Sequence, residues 1–280
     1  MSGTLEGLRD RLRPTLPYRI GRAVYQGSGL KARLTARRLR IAVRTEPMDA
    51  LLARLGRAGL VPAPEVAPPG LDVPGVSAGP MPARDVAAFT RLLSHVRPRT
   101  VLEIGTNWGC STAMFALNTE DAARIWTVDV CREMFDEAAL ARSRELDMVL
   151  PRARTGEVYR RLPEARKVTQ VFRDSRLLDW TESDFPPAFD LVFVDACHEY
   201  EFARSDTERA WPRVAPGGLL VWHDYYPRVE MWPGVFRAVN DFARAVAPVY
   251  HIAGTALAVA VKPAAGRQRP SRATAPPASP

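Results

Sequence analysis

Val101-Leu102-Glu103-Ile104-Gly105-Thr106-Asn107-Trp108-Gly109-Cys110-Ser111 is the stretch on which the fold turns. A short apolar run meets an acid, passes through G-x-x-x-G, and continues into residues suited to the start of a helix. Glycine lets a backbone approach a ligand closely, and the first turn of a helix leaves N–H groups free. The spacing lacks the G-x-G-x-x-G of dinucleotide folds, so a pyrophosphate is not the expected guest. A zwitterionic amino-acid ligand suits the stretch better: Glu103 can meet a cationic group, and the free N–H groups a carboxylate.

Outward from this turn, strand-like and helix-like segments alternate. Apolar runs predict strands over 100–104, 125–129, 169–172, 189–194, 219–222, 249–252 and 257–261, and amphipathic spacing predicts helices over 84–95, 110–117, 199–209 and 235–246. A helical region with a break near Pro151 is expected over 130–167. Strands alternating with helices imply parallel β-α-β units, and the Gly254 turn between the last two strands implies a closing antiparallel hairpin. The expected fold is therefore α/β, a Rossmann-like, mostly parallel seven-stranded sheet with a C-terminal antiparallel hairpin and a helical N-terminal arm.

The 280 residues divide into four stretches. Residues 1–60 form a basic arm, in which Leu30, Leu34, Arg38 and Ile41 would share one side of a helix. Residues 61–82, with seven prolines, read as a linker. Residues 83–262 are the α/β domain, and 263–280 a Pro/Ala/Arg/Ser tail too poor in apolar residues to order itself.

The net charge of +8 belongs to the ends: residues 1–60 carry 13 Lys/Arg against 4 acids, and 61–261 carry 22 against 27. A polyanion-binding argument thus applies only to the ends. No apolar run approaches the ~20 residues of a membrane helix, and no apolar signal core follows the first arginines. The three cysteines, Cys110, Cys131 and Cys197, form no C-x-x-C pair, so neither a disulfide framework nor a zinc site is indicated. A cytoplasmic protein is expected.

Two further acids end successive strands. Asp129, ending the second, can accept from ribose hydroxyls, and Asp174, in Arg173-Asp174-Ser175, from an adenine amino group. Either could merely cap the next helix. Together, E-I-G-T-N-W-G, W-T-V-D and R-D-S resemble the cofactor signature of class I S-adenosylmethionine-dependent methyltransferases, over roughly residues 85–261. The resemblance implies that Glu103, Gly105 and Gly109 line the methionine part, Asp129 the ribose and Asp174 the adenine. Thr106, Asn107 and Ser111 on the turn and Ser175 beside Asp174 complete that cofactor-binding set.

Strand four ends Val194-Asp195-Ala196-Cys197-His198, and strand five Trp222-His223-Asp224-Tyr225-Tyr226. On neighbouring parallel strands, Asp195 and Asp224 would emerge about 4.8 Å apart, close enough to share a proton or hold a hard divalent cation such as Mg²⁺. His198, three residues after Asp195, returns to the same side and can accept a proton near pH 7. The D-x-x-H with an acid after strand five resembles bacterial macrocin- and mycinamicin-type sugar O-methyltransferases and cephalosporin-hydroxylase-like relatives. There, by resemblance, the first acid is a metal ligand, the histidine a base, and an acidic pair after strand five completes the metal site. This chain has His223-Asp224 where that pair stands, and strand alternation would send the two side chains to opposite faces. The candidate metal set is thus Asp195, Asp224 and His223, with His198 and Asp195 catalytic. Tyr200, Tyr225, Tyr226 and Trp232 are candidates for an acceptor pocket, or for packing.

The expected activity is O-methylation of a hydroxyl on a small molecule, such as a sugar of a natural product, with metal assistance. A nucleic-acid methyltransferase is the enzymatic rival, but Asp195-Ala196-Cys197-His198 stands where amino-methylating enzymes carry (N/D/S)-P-P-(Y/F/W), so no nucleic-acid partner is expected. A catalytically silent docking protein using the arm is the other alternative, and the arm could equally join two copies of the chain.

Overall fold

The computed structural model describes residues 41–56, 81–136, 148–180, 185–227 and 232–264. Most of the expected arm, linker and tail lie outside these residues, including Leu30, Leu34 and Arg38.

The elements run β1 (Arg44–Glu46), α1 (Met48–Arg54), α2 (Ala83–Val96), β2 (Thr100–Ile104), α3 (Cys110–Asn118), β3 (Arg124–Asp129), β4 (Val168–Phe172), β5 (Phe189–Val194), α4 (Tyr200–Ala210), β6 (Val214–Trp222), α5 (Pro233–Ala245), β7 (Val249–Ile252) and β8 (Ala258–Val261). The strands form one sheet in the order β1-β7-β8-β6-β5-β2-β3-β4. All neighbours are parallel except β8, which runs antiparallel to both β6 and β7.

The central strands are apolar on both faces because helices cover both. Val101, Leu191, Phe193, Leu219 and Val221 face Phe89, Leu92 and Leu93 of α2 and Phe115 of α3. Their neighbours Leu102, Ile104, Val192, Val194, Leu220 and Trp222 face the other way, with Ala203 and Ala210 of α4 and Phe236, Val239 and Phe242 of α5. Apart from the buried Glu103 of β2, this division of alternate residues between two apolar faces is what a continuous apolar run signals.

β2 lies between β3 and β5, so the chain leaves it outward to β3 and β4 and then crosses back to β5. Where strand order reverses in this way, loops diverge from the C-terminal ends and leave a crevice. The glycine turn after β2 and Asp195 after β5 sit at that reversal.

Two features differ from the sequence expectation. The sheet has eight strands, because Arg44–Glu46 pairs in parallel with β7, its register fixing Thr45 opposite His251. Ala42 N–H donates to Asn240 Oδ1 at 2.7 Å, and Leu51 and Leu52 of α1 are buried, so 41–56 belong to the domain body and not to an arm. A three-residue strand at a sheet edge has too little periodicity to be read in advance. The expected helical region over 130–167 is, in its described part, a set of 3₁₀ turns at Arg132–Met134, Tyr159–Arg161 and Pro163–Lys167. Besides the local bonds of these turns, two of its amides bond outward: Gly156 N–H donates to Asn107 O at 2.8 Å and Val158 N–H to Trp108 O at 3.0 Å.

Candidate active site

The turn after β2 is held from three sides. Gly105 has φ +104, and a Cβ there would lie 2.0 Å from the Asp195 carbonyl oxygen. Only glycine permits this approach of the β2 and β5 tips, which Asp195 N–H closes by donating to Ile104 O at 2.9 Å. Gly109 has φ +80 and caps α3, and its Cβ position is filled by Tyr159 and Gly156. Gly109 was expected to line the methionine part, but its open side faces the 154–159 strap, with Arg154 lying over the Trp108 ring. Below the turn, Thr106 Oγ1 meets Thr127 Oγ1 at 2.6 Å and accepts from Gln170 Nε2 at 3.0 Å.

Glu103 is wholly buried, and it accepts from Ser111 Oγ, Thr112 Oγ1 (2.5 Å) and Thr127 Oγ1 (2.6 Å). Burial pushes its carboxyl up to about 7, although the three hydroxyls oppose the shift. Ser111 is therefore a partner of Glu103.

Asp129 Oδ2 accepts the N–H groups of Thr106 (3.0 Å) and Asn107 (2.7 Å), and Oδ1 accepts Val130 N–H at 2.7 Å. Burial raises its carboxyl to about 6 against these three bonds. A carboxylate offers about four acceptor positions, so roughly one is left on Oδ1. The expected acceptance of both ribose hydroxyls would require a turn amide to let go.

Asp174 caps the 3₁₀ turn Ser175–Leu177 through Arg176 N–H at 2.9 Å and pairs with the Arg176 guanidinium at 2.6 Å, which itself lies over the Phe202 ring. Burial would raise this carboxyl, but Arg176 holds it below its ordinary value. Ser175 Oγ donates to Asp206 Oδ1 of α4 at 2.6 Å, tying the loop to that helix.

At the tips of β5 and β6 the structure gathers Asp195, His198 and Asp224, each offering one donor atom within 4.8 Å of the others. Val194 pairs with Trp222, so Asp195 follows its strand at the level of His223, and Asp224 comes one residue later. His198 Nε2 lies 2.9 Å from Asp224 Oδ2, and the Trp232 ring stacks on the imidazole at 4.0 Å. Gly234, at the start of α5, lets that helix pack on the backbone of residues 198–200.

His223 departs from the expected alternation. Asp224 adopts φ +55, a left-handed conformation that breaks the strand geometry, so the two side chains do not go to opposite faces. His223 Nδ1 lies 3.3 Å from Asp224 Oδ2 and 3.4 Å from Asp195 Oδ1, and Nε2 lies 3.4 Å from Asp85 Oδ2. Burial opposes a charge on His223, but Asp224 and Asp195 raise it well above the ordinary histidine value. Burial likewise opposes the Asp224 charge, and His223 and His198 hold that carboxyl well below the usual carboxylate range. His223 thus sits beneath the two acids as a buried partner, while His198 takes the place in the three-residue cluster that the sequence pattern offered to His223.

As a donor set, two carboxylates and one imidazole fit a divalent ion, and the mixed O/N chemistry suits Mn²⁺, Fe²⁺ or Zn²⁺ as well as Mg²⁺.

The four aromatic candidates separate. Tyr225 is fully buried, stacked on Phe236, and its hydroxyl accepts from Asn240 Nδ2 at 3.0 Å. Tyr200 donates to Asp241 at 2.9 Å beneath the Arg237 guanidinium. Tyr226 is nearly buried, and Trp232 packs on His198. Asp85, which reaches the site from α2, had no signal in the sequence: an acid in the first turn of a helix is usually there for the dipole.

Residues 102–225 match the family model described as a methyltransferase domain, and the match runs from β2 to just past the Asp224 turn. This segment resembles a methyltransferase domain. No curated protein matches the chain. Among solved structures, the chain is similar to the O-methyltransferase TomG from Streptomyces achromogenes, involved in tomaymycin synthesis (20% identity, 79% of this chain and 92% of that one, TM-score 0.43). It is also similar to CalS11, a TDP-rhamnose 3'-O-methyltransferase of calicheamicin biosynthesis (19% identity, 64% and 78%, TM-score 0.44). The α/β domain extends beyond the matched segment, since α2 packs on one face of its sheet and β7 and β8 complete it. Among the described residues no helix is long and apolar enough to cross a membrane.

Proposed function

We propose that the domain transfers the methyl group of S-adenosylmethionine to a hydroxyl of a small molecule, such as a sugar or another natural product, with a divalent ion at Asp195 and Asp224. One observation carries the reading: the Gly105 backbone lies against the Asp195 carbonyl, so the donor turn and the Asp195, His198, Asp224 cluster share one crevice. The methionine part of the donor would lie along the 105–107 turn, with its ribose toward the open position of Asp129 and its adenine toward Asp174 and Ser175.

The reaction breaks a sulfur–methyl bond and forms an oxygen–methyl bond, and the hydroxyl proton must leave. His198 is the group placed to take it, with Asp224 accepting from the imidazole and Trp232 holding the ring plane. A divalent ion, when bound, would lower the hydroxyl pKa and fix its oxygen. Asp195 and Asp224 would hold that ion. The cluster geometry also favours a second assignment, in which His198 Nε2 is a ligand and not the base.

Isothermal titration with S-adenosylmethionine tests the donor: absence of binding would overturn the reading. Transfer of labelled methyl to hydroxylated small molecules, with and without EDTA and in His198→Ala, tests the mechanism. Activity that survives both EDTA and that substitution would remove the metal and the base while leaving the donor in place. A nucleic-acid acceptor would instead reveal itself as salt-dependent binding of RNA or DNA.

A further inference from the structure

We infer that Asp85, on the helix before the matched segment, is a positioning residue for the site, acting on His198 through a relay of His223 and Asp224. The inference rests on the proposed function only in saying what His198 and the acids are for.

Asp85 is completely buried. An ionised carboxylate in such a place is costly unless it is bonded. Its bonds lead in two directions: Oδ1 accepts Ala256 N–H at 3.2 Å, in the turn before β8, and Oδ2 faces His223 Nε2 at 3.4 Å. Arg84 Nε stands 3.7 Å away on a half-exposed side chain, too far for a hydrogen bond. The specific partner of Asp85 is therefore the imidazole.

That imidazole is buried in turn and has both nitrogens in use. Nε2 points at α2, and Nδ1 points at the crevice, 3.3 Å from Asp224 Oδ2 and 3.4 Å from Asp195 Oδ1. The ring is rigid, so fixing one nitrogen fixes the other. The edge of Phe193 closes against it, with centroids 6.3 Å apart. Asp224 Oδ2 then continues to His198 Nε2 at 2.9 Å. The series Asp85, His223, Asp224, His198 thus runs from the interior face of α2 to the mouth of the crevice, and His223 also determines where both acids sit. Groups behind a metal or catalytic shell orient it in this way, and removing them typically costs 10–100-fold in metal affinity or activity.

The relay can be read without knowing the acceptor. The chain has four histidines, so [¹⁵N]histidine labelling of the full-length protein gives a spectrum that single substitutions can assign. Asp85→Asn keeps the shape and an oxygen for Ala256 N–H, but its amide places a donor against His223. The ring ¹⁵N resonances of both His223 and His198 should move, while those of His95, at the far end of α2, should not. In a His223→Gln background, adding Asp85→Asn should leave His198 where the first substitution put it, because coupling that passes through His223 vanishes with it. His198 unmoved by Asp85→Asn, or moved equally with and without His223, would overturn the relay. If Asp85→Asn fails to fold, His223→Gln alone decides: His198 unmoved in that variant is equally fatal.

Mn²⁺ titration followed by electron paramagnetic resonance gives the second readout. Asp85→Asn should weaken Mn²⁺ binding about tenfold. Unchanged affinity would overturn the positioning of the acids. A wild-type protein that binds no Mn²⁺ would instead count against the proposed metal, and the histidine spectra would still decide the relay.

Discussion

Replacing Gly105 by alanine puts the junction of the donor turn and the acid cluster to a direct test. The added Cβ would stand 2.0 Å from Asp195 O and 2.5 Å from Asp195 C, against backbone that has no rotamer to change. Ordinary contact begins near 3.4 Å, so the tips of β2 and β5 must separate by a little over 1 Å. The parallel pairing of Ile104 with Val194 and the bond from Asp195 N–H to Ile104 O resist that movement. Gly254→Ala is the matched control, since it also has positive φ (+86) but nothing within 4 Å of the new atom. Backbone strain alone should cost the control about 1–2 kcal/mol. Gly105→Ala should carry that strain plus the broken approach, about 3–5 kcal/mol in all, or roughly 6–20 °C in melting temperature for a domain of this size. A displaced turn loses on the order of one or two hydrogen bonds to the donor, so the affinity for S-adenosylmethionine should fall by about tenfold or more in Gly105→Ala and stay within a few fold in Gly254→Ala. Thermal melts and isothermal titration on the two variants make the comparison. Equal losses in both, or wild-type donor affinity in Gly105→Ala, would refute the claim that the two strand tips share one crevice.

Three further outcomes are expected. Glu103 has its carboxyl raised from 4.5 to about 7, so its contribution to stability is complete below the unfolded value and is lost as pH rises through 7, by about 3 kcal/mol. Urea melts at pH 5 and pH 8 should show that loss in the wild type and its absence in Glu103→Gln; identical pH slopes would contradict the burial argument. Asp129→Ala removes an acceptor from three N–H groups at 2.7 to 3.0 Å and should cost about 2–4 kcal/mol together with at least tenfold in donor affinity, again by titration. Gly156→Ala places a Cβ 2.3 Å from the Tyr159 ring at a φ of +76, so amide exchange at Gly156 and Val158 should quicken; protection at the wild-type level would mean the strap does not lean on the turn.

The fold was legible because its signals are local and repeat. The central strands are apolar runs whose alternate residues divide between two helix-covered faces, and the Gly254 turn marks the hairpin. The arm boundary was not legible, because the three residues of β1 gain their meaning only from pairing with β7, more than 200 positions away. The strap over the glycine turn was missed for the same reason: its hydrogen bonds go to Asn107 and Trp108, about 50 residues back. Periodicity cannot report a segment whose partners lie outside it.

At the site, residue types and their order along the strands were enough to single out Gly105, Asp129, Asp195, His198 and Asp224 in one chemical context, since parallel strands deliver their C-terminal residues to one edge. What each of them touches was decided only by the tertiary structure. The left-handed turn at Asp224 brings His223 beneath both acids, against the alternation a strand would impose, and α2 supplies Asp85 behind it. Asp129 spends three acceptor positions on backbone amides, and Gly109 turns its open side to Gly156. A sequence carries the chemistry available to a site, because that is a property of single residues. Which nitrogen faces which oxygen depends on packing between elements, and there one dihedral angle or one absent Cβ is enough to change the partner.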